Sequence, residues 1–358
     1  MTLDSPVRFS PELETVKSDE NETVSDLIDQ FDIILDKTAE DYGHAVRSVH
    51  AKAHGLLEGR LKVKAALPSD LAQGMFARPG DHKVYMRFST NAGDILPDAV
   101  SLPRGLAIKV VDVEGTRLPG ADGMTQDFIM VNGPVFQAPT PEKFLSSLKL
   151  LAKTTDKMEG TKVVVSSVLQ TVNKGLEAVG MASPTVQSLG GAPNSDPLGE
   201  TYFSVTPFRY GDYVAKFRMR PISPDLVKRT GNEIDASVRE NAIRETVQAE
   251  MQQTFGEWEF QVQLCRDTKR QPIEDPTVEW KEEDAPFVTV ATVTAGPQDG
   301  FSDENVQKID EEMRFSIWTG LADHQPLGGI NRARKATYQH SAEFRAKFNG
   351  CPFHEPQQ

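Results

Sequence analysis

Arg47-Ser-Val-His50, Arg87-Phe-Ser-Thr90 and Asp127-Phe-Ile-Met-Val-Asn132-Gly-Pro are three short stretches that decide how this chain is read. Each adjoins a run with a two-residue hydrophobic period. A histidine at the mouth of one strand, a hydroxyl on a second and an amide on a third converge on one pocket if those strands are neighbours. Such a set suits peroxide chemistry. His50 can take a proton from one peroxide oxygen and return it to the other, Ser89 can hold the far ring nitrogen, and Asn132 can orient the bound oxygens.

Outward from these stretches the period stays at two. Leu57 to Ala66, Lys83 to Ser89, Leu106 to Val113 and Asp127 to Val131 read as strands, separated by turn-forming clusters such as Ala77-Arg-Pro-Gly-Asp81 and Leu118-Pro-Gly-Ala-Asp122. Short connections between them favour an antiparallel sheet over βαβ units. Thr201 to Thr206, Tyr213 to Met219, Trp258 to Leu264 and Phe287 to Val293 continue the pattern, with a Tyr210-Gly211-Asp212 turn before the second of these. Eight strands is the number with which a small barrel closes around its own side chains. The expected class is α+β: a closed eight-stranded antiparallel β-barrel with helical insertions and a C-terminal helical segment.

The insertions show a different period. Leu27, Ile28, Phe31, Ile34 and Leu35 recur at helical spacing behind Thr23 or Ser25 as cap. Pro141 opens a second helix, with Phe144, Leu145, Leu148 and Leu151 on one stripe. Residues 161–180, with Val163, Val164, Val165, Val168 and Leu169, read as helix or as strand, and Ser183 to Pro197 reads as a loop. Asp235 is placed to cap a long helix from Ala236 to Thr254, with Val238, Ala242, Ile243, Val247 and Met251 on its apolar face. Val306 to Phe348 is helical in character, broken at Pro326 and Gly328. Residues 1–21 form a flexible polar arm. Residues 22–358 form a single domain, its barrel over about 50–295 and its C-terminal helical region over about 300–350.

Composition limits the function. The chain has 358 residues, 38% hydrophobic and 25% charged, which is ordinary for a globular protein that buries a substantial core. A net charge of -13 opposes general binding to nucleic acid, whose phosphates it would repel. Cys265 and Cys351 are too few for a disulfide framework, Met1 to Asn21 has no signal-peptide character, and no stretch reaches transmembrane length, so the cytoplasm is the expected compartment. No phosphate-binding glycine loop, zinc-ligand cluster or nucleophile elbow occurs.

Taken in order, Arg47-x-x-His50-Ala-Lys, Arg87-Phe-Ser-Thr90, Pro103-Arg-Gly-Leu-Ala-Ile-Lys109 and Asp127 to Phe136 resemble the haem-containing catalases. The likeness covers roughly residues 40–150 well, the strand-rich middle loosely and the C-terminal third poorly. It implies the same eight strands. It makes His50 the distal base, Ser89 its partner and Asn132 the distal amide. Arg47 and Arg87 would pair with haem propionates as bidentate forks, and Phe136 and Phe144 would line the distal channel or the porphyrin edge, unless they only pack the core. His44 and His54 match nothing and read as surface residues.

The iron ligand is where the resemblance departs from the family. Catalases supply an axial tyrosinate from an Arg-x-x-x-Tyr segment shortly before a Leu-Gly-x-Asn run. Here the corresponding segment is Arg314-Phe-Ser-Ile-Trp318, ahead of Leu327-Gly-Gly-Ile-Asn331, so Trp318 stands where tyrosine is expected, or Thr319 does with the gap moved. Neither is a suitable ligand. His324, Tyr338 and Cys351-Pro352 are the other candidates, each reading first as a solvated loop residue. Pro326-Leu-Gly-Gly-Ile-Asn-Arg-Ala-Arg-Lys335 looks like the divergent, uncharacterised catalase-like proteins of bacteria. The implied function is a haem protein acting on peroxides. Without an anionic axial ligand, a peroxidase or organic hydroperoxide converter is expected rather than a fast catalase. The alternatives are a haem-binding or sensing protein without turnover, or a barrel that has lost its haem. A homo-oligomer is implied by analogy alone.

Overall fold

Ala53–Val63 (β1) pairs along both edges, which is how the sheet comes to close. The computed structural model describes residues 3–155 and 191–356. On one side of β1 lies Asp81–Thr90 (β2), then Arg104–Val110 (β3), Gln126–Val131 (β4) and the two-residue Tyr202–Phe203 (β5). On the other side lie Val288–Ala295 (β9), Gly256–Leu264 (β8) and Tyr213–Pro221 (β7). Pairing of Tyr202 with Met219 and of Phe203 with Arg218 joins β5 to β7 and completes an antiparallel ring of eight. A ninth strand, Phe208–Tyr210 (β6), folds back on β7 through Gly211 at φ 59° and stays outside the ring.

Alternation fills the barrel. Leu57, Leu61, Met86, Phe88, Leu106, Ile108, Phe217, Met219, Phe260 and Val293 are all buried in one cluster. At its centre the Phe128 ring lies 4.7 Å from Phe260 and 5.0 Å from Phe217 between centroids, and Phe76 enters from the single-turn helix Gly74–Phe76. Each such ring contributes about 1.5–3 kcal/mol by leaving water, and among the described residues these side chains pack the barrel interior.

The helices lie outside. Glu20–Tyr42 (α1) begins a turn earlier than Thr23 or Ser25 would set it, and Thr23 is buried rather than capping. Pro141–Thr155 (α2) starts at the expected proline. Asp235 caps a local turn by accepting from Ser237 N and Oγ, and the long helix expected from Ala236 is only Ala242–Met251 (α3). Its start is fixed from afar, by Asp98 Oδ2 accepting from Ile243 N at 2.8 Å. Gly329–Asn349 (α4) packs on α1 and α2 through Leu27, Phe31, Leu145, Leu148 and Ala333. Gly328, at φ 86°, lets the chain turn into α4. The fifth strand is shorter than expected because Thr206 N–H donates to Ser204 O at 2.6 Å, a γ-turn centred on Val205 at φ 53°. Residues 161–180, the start of the Ser183 loop and the side chain of Leu151 lie outside the described residues. The N-terminal arm runs along the barrel wall, Val7 N–H donating to Cys265 O and Phe9 N–H to Asp212 O, both at 2.8 Å.

Candidate functional site

Strand register brings the first group together. Ala53 pairs with Ser89 and Ser89 with Gly105, so the residues just before β1 lie across β2 and β3. His50 takes φ 55°, a left-handed conformation costly for any residue with a β-carbon, and Ala51 N–H donates to Ala92 O at 2.8 Å just after it. The ring then lies on β3, where a Cβ at Gly105 would collide with His50 Cε1 and Nδ1. Ser89 Oγ is 3.0 Å from His50 Nδ1, which leaves Nε2 for the cavity. Burial, and next the charges of Arg87, Arg334 and Arg47, push the His50 pKa down to about 3, so the imidazole is unprotonated at pH 7.

Asn132 follows β4. Its Oδ1 accepts from Arg104 N–H at 2.7 Å while its own N–H donates to Arg104 O at 3.1 Å, which fixes the carboxamide at the rim of β3. His50 and Asn132 line a cavity of about 1170 Å³, its open mouth included, together with Phe31, Phe136, Phe144 and Tyr338. Phe136 and Phe144 touch at 5.5 Å between ring centroids. A second cavity of about 600 Å³ is lined by His50, Ser89, Arg47, Arg87, Tyr338 and Arg345. His50, Val49, Ile129 and Tyr338 line both, so the two are halves of one slot between the barrel and α4.

Helix α4 supplies the opposite wall. Ala333, Thr337 and Ser341, at steps of four residues, border the slot together with Ala342, and their small side chains leave space along that wall. Arg334, Tyr338 and Arg345 stand on the same face, and Arg334 Nη2 donates to Tyr338 Oη at 3.1 Å.

A cluster of cations marks one end. Arg87 Nε donates to Asp310 Oδ1 at 2.8 Å and its Nη2 to Ala51 O at 3.0 Å. Arg47 donates to the same Asp310 Oδ1, to Asp310 O at 2.8 Å and to Met313 O at 3.2 Å. Arg345 Nη2 reaches Asp310 O at 3.0 Å. Burial alone would raise the Asp310 carboxyl, but Arg87 and Arg47 outweigh it and hold the group well below the usual carboxylate range. Against these three guanidinium groups stand the carboxylates of Asp310 and of Glu311, the latter 3.9 Å from Arg345 Nη2, so the positive charge is in excess by one.

The Catalase family model matches residues 44–306. The chain belongs to the catalase family. Among solved structures it is similar to a fungal catalase, with a TM-score of 0.59 over 90% of this chain and 66% of that one at 15% identity. It is similar to catalase A from Saccharomyces cerevisiae, with a TM-score of 0.60 over 98% and 72% at 15% identity. A bacterial catalase gives 0.62 over 99% and 66%, also at 15% identity. The chain spans about two thirds of the length of these catalases, and at such identity the likeness shows the fold. No curated protein matches the sequence.

Against the catalase pattern, the slot assigns the C-terminal residues differently from the sequence. Trp318 does not reach it: the indole Nε1 donates to Pro119 O at 3.2 Å, and Lys335 Nζ lies 4.3 Å from its ring centroid. His324 is sealed inside the barrel, 1% exposed, accepting from Met75 N–H at 3.1 Å, and burial pushes its pKa down to about 3. Cys351 lies beyond the end of α4 beside His44 and Arg345. His44 is exposed, as expected, but His54 is fully buried 4.0 Å from Asp98 Oδ1. Tyr338, read as a loop residue, is on α4 and faces His50 across the slot. The sequence carried a signal for it. Arg334-x-x-x-Tyr338 has the spacing sought, but it follows Leu327-Gly-Gly-Ile-Asn331 instead of preceding it. Arg345, seven residues further, was missed altogether.

Proposed function

We propose that this member of the catalase family holds haem in the slot between His50 and Tyr338 and acts on peroxides, with organic hydroperoxides as preferred substrates. The observation that carries the reading is one slot with a neutral imidazole on one wall, a tyrosine bonded to an arginine on the other, and three arginines against Asp310 and Glu311 at one end. The residues present fit the group. Tyr338 would bind the iron from α4, with the Arg334 guanidinium supporting negative charge on its oxygen. Arg47, Arg87 and Arg345 would meet the propionates, and the small side chains of α4 would leave room for the porphyrin. Bound there, haem would supply the redox-active iron at which the peroxide O–O bond breaks.

The chain's own part is to place and move a proton. His50 Nε2 takes it from one peroxide oxygen and returns it to the other, the Nδ1 contact to Ser89 keeping the ring in place. Asn132, its oxygen held by Arg104 N–H and its amide nitrogen bonded to Glu200, borders the cavity beside His50 and helps position the substrate there. The preference for organic hydroperoxides follows from the approach: Leu27, Phe31, Val135, Phe136, Phe144 and Ile330 make it wide and apolar, which favours a substrate carrying a hydrocarbon body. Unpaired Cys265 and Cys351 suit a cytoplasmic setting, and no helix among the described residues is long and apolar enough to cross a membrane. The position of Tyr338 on α4, opposite His50, supports a protein with turnover over one that only binds haem.

The test is consumption of cumene hydroperoxide and of hydrogen peroxide by haem-loaded protein, wild type beside His50→Ala. Turnover with the organic peroxide favoured, and lost in the variant, supports the reading. Unchanged turnover in the variant removes His50 from the chemistry, and colourless protein after haemin titration removes the cofactor.

A further inference from the structure

Alternation on β7 turns Ala215, Phe217 and Met219 into the core and leaves Lys216 and Arg218 on the outer wall of the barrel. Residues 266–287 fold over that wall, pinned by Gln263 Nε2 donating to Trp280 O at 2.7 Å and Ala285 O at 2.8 Å. Between strand and loop lies a cavity of about 450 Å³, bordered by Lys216, Trp280, Phe203, Phe287 and Val205. The Arg218 guanidinium stacks 3.9 Å from the Phe287 centroid and bonds Gln261 and Glu282, so its charge is accounted for.

That of Lys216 is not. The residue is 4% exposed, and its Nζ has no acceptor among the described residues. It lies 4.8 Å from the centroid of Trp280, whose Nε1 is also buried without an acceptor. The other deeply buried lysines differ: Lys52 bonds two carbonyls and Asp98, and Lys109 bonds Asp127. A buried ammonium with no bonded counter-ion gives up its proton readily. Burial here pushes the Lys216 pKa down to about 7, against the opposing charges of Glu279 and Asp275. An amine of this kind, about half of it neutral at pH 7 and set against the Trp280 ring in a cavity that Glu279 and Glu282 also border, is an activated nucleophile.

We propose that this cavity is a reactive-amine site, in which Lys216 forms an imine with a small aldehyde bearing an aromatic or aliphatic body. The Nζ lone pair attacks the carbonyl carbon and the C=O π electrons move to oxygen. That oxygen takes the proton that nitrogen releases, giving a carbinolamine. Loss of the hydroxyl with one further proton, as water, leaves the C=N bond, so no oxidant or reductant is consumed. The Trp280 N–H supplies a donor for the carbonyl oxygen, and Phe203, Phe287 and Val205 take the apolar body. The site stands independently of any haem in the slot.

Full-length protein is incubated at pH 7 with benzaldehyde and sodium cyanoborohydride, which reduces the imine irreversibly, then digested and mapped by mass spectrometry. The benzyl adduct is expected on Lys216 at a rate roughly tenfold above that on exposed Lys62, because burial leaves about half of Lys216 unprotonated at this pH. Trp280→Phe, which keeps a ring and deletes the donor, is expected to slow labelling of Lys216 severalfold and leave Lys62 unchanged. Adducts on Lys62 with Lys216 unmodified, or equal rates at the two, would overturn the proposal.

Discussion

Replacing His50 by Asn separates what this residue costs the fold from what it does in the slot. Its φ of 55° costs about 1–2 kcal/mol for an ordinary side chain, while Asn tolerates that region. Its pKa is about 3 in the folded chain against an ordinary 6.5. Below pH 6.5 the unfolded chain therefore binds a proton at this position that the folded chain refuses. The stability tied to a neutral His50 is complete above that pH and is lost as pH falls towards 3. At pH 5 the loss is about 1.5 pH units at about 1.4 kcal/mol each, or about 2 kcal/mol. Asn has no proton to bind. In urea unfolding of haem-free protein, wild type should lose about 2 kcal/mol more than His50→Asn between pH 7 and pH 5, since every other acid-sensitive group is common to both. Hydroperoxide turnover by the haem-loaded variant should meanwhile fall about 100- to 10,000-fold. Equal losses of stability in the two proteins would refute the claim that the imidazole is enclosed and neutral.

Other perturbations reach different parts of the account. Gly105→Ala places a methyl against Cε1 and Nδ1 of His50, so turnover should fall at least about tenfold while the far-ultraviolet spectrum of the barrel is kept. Phe260→Ala empties the centre of the aromatic core, where Phe128, Phe76 and Phe217 lie within 5.7 Å between centroids, and should cost about 3–5 kcal/mol in urea unfolding. Trp318→Tyr, the substitution that a misplaced axial segment would recommend, should leave the haem spectrum unchanged, because the indole is occupied with Pro119 and Lys335 outside the slot.

The barrel was legible because its strands alternate cleanly and the core is built from those alternating residues. Departures come from contacts that no local pattern carries. β5 stops at Phe203 because a γ-turn at Val205 reverses the chain. α3 starts at Ala242 because Asp98, far away in sequence, caps it, while the promising Asp235 satisfies only its own turn. On the barrel side of the slot the motifs sit on paired strands, so His50, Ser89 and Gly105 converge through register that short connections enforce. The helical side was harder. α4 reads as a charged surface helix, and the face that borders the slot mixes small residues with Arg334, Tyr338 and Arg345, without an apolar stripe. His54 looked exposed for a similar reason: nothing near it in sequence reveals Asp98 and the covering loop.

The most direct test of the slot is the absorption spectrum of haem-loaded protein, wild type beside Tyr338→Phe. The account predicts a phenolate-to-iron charge-transfer band in wild type that disappears in the variant, with weaker retention of haem. An identical spectrum in the two proteins would contradict it, because the iron would then be held from somewhere other than α4.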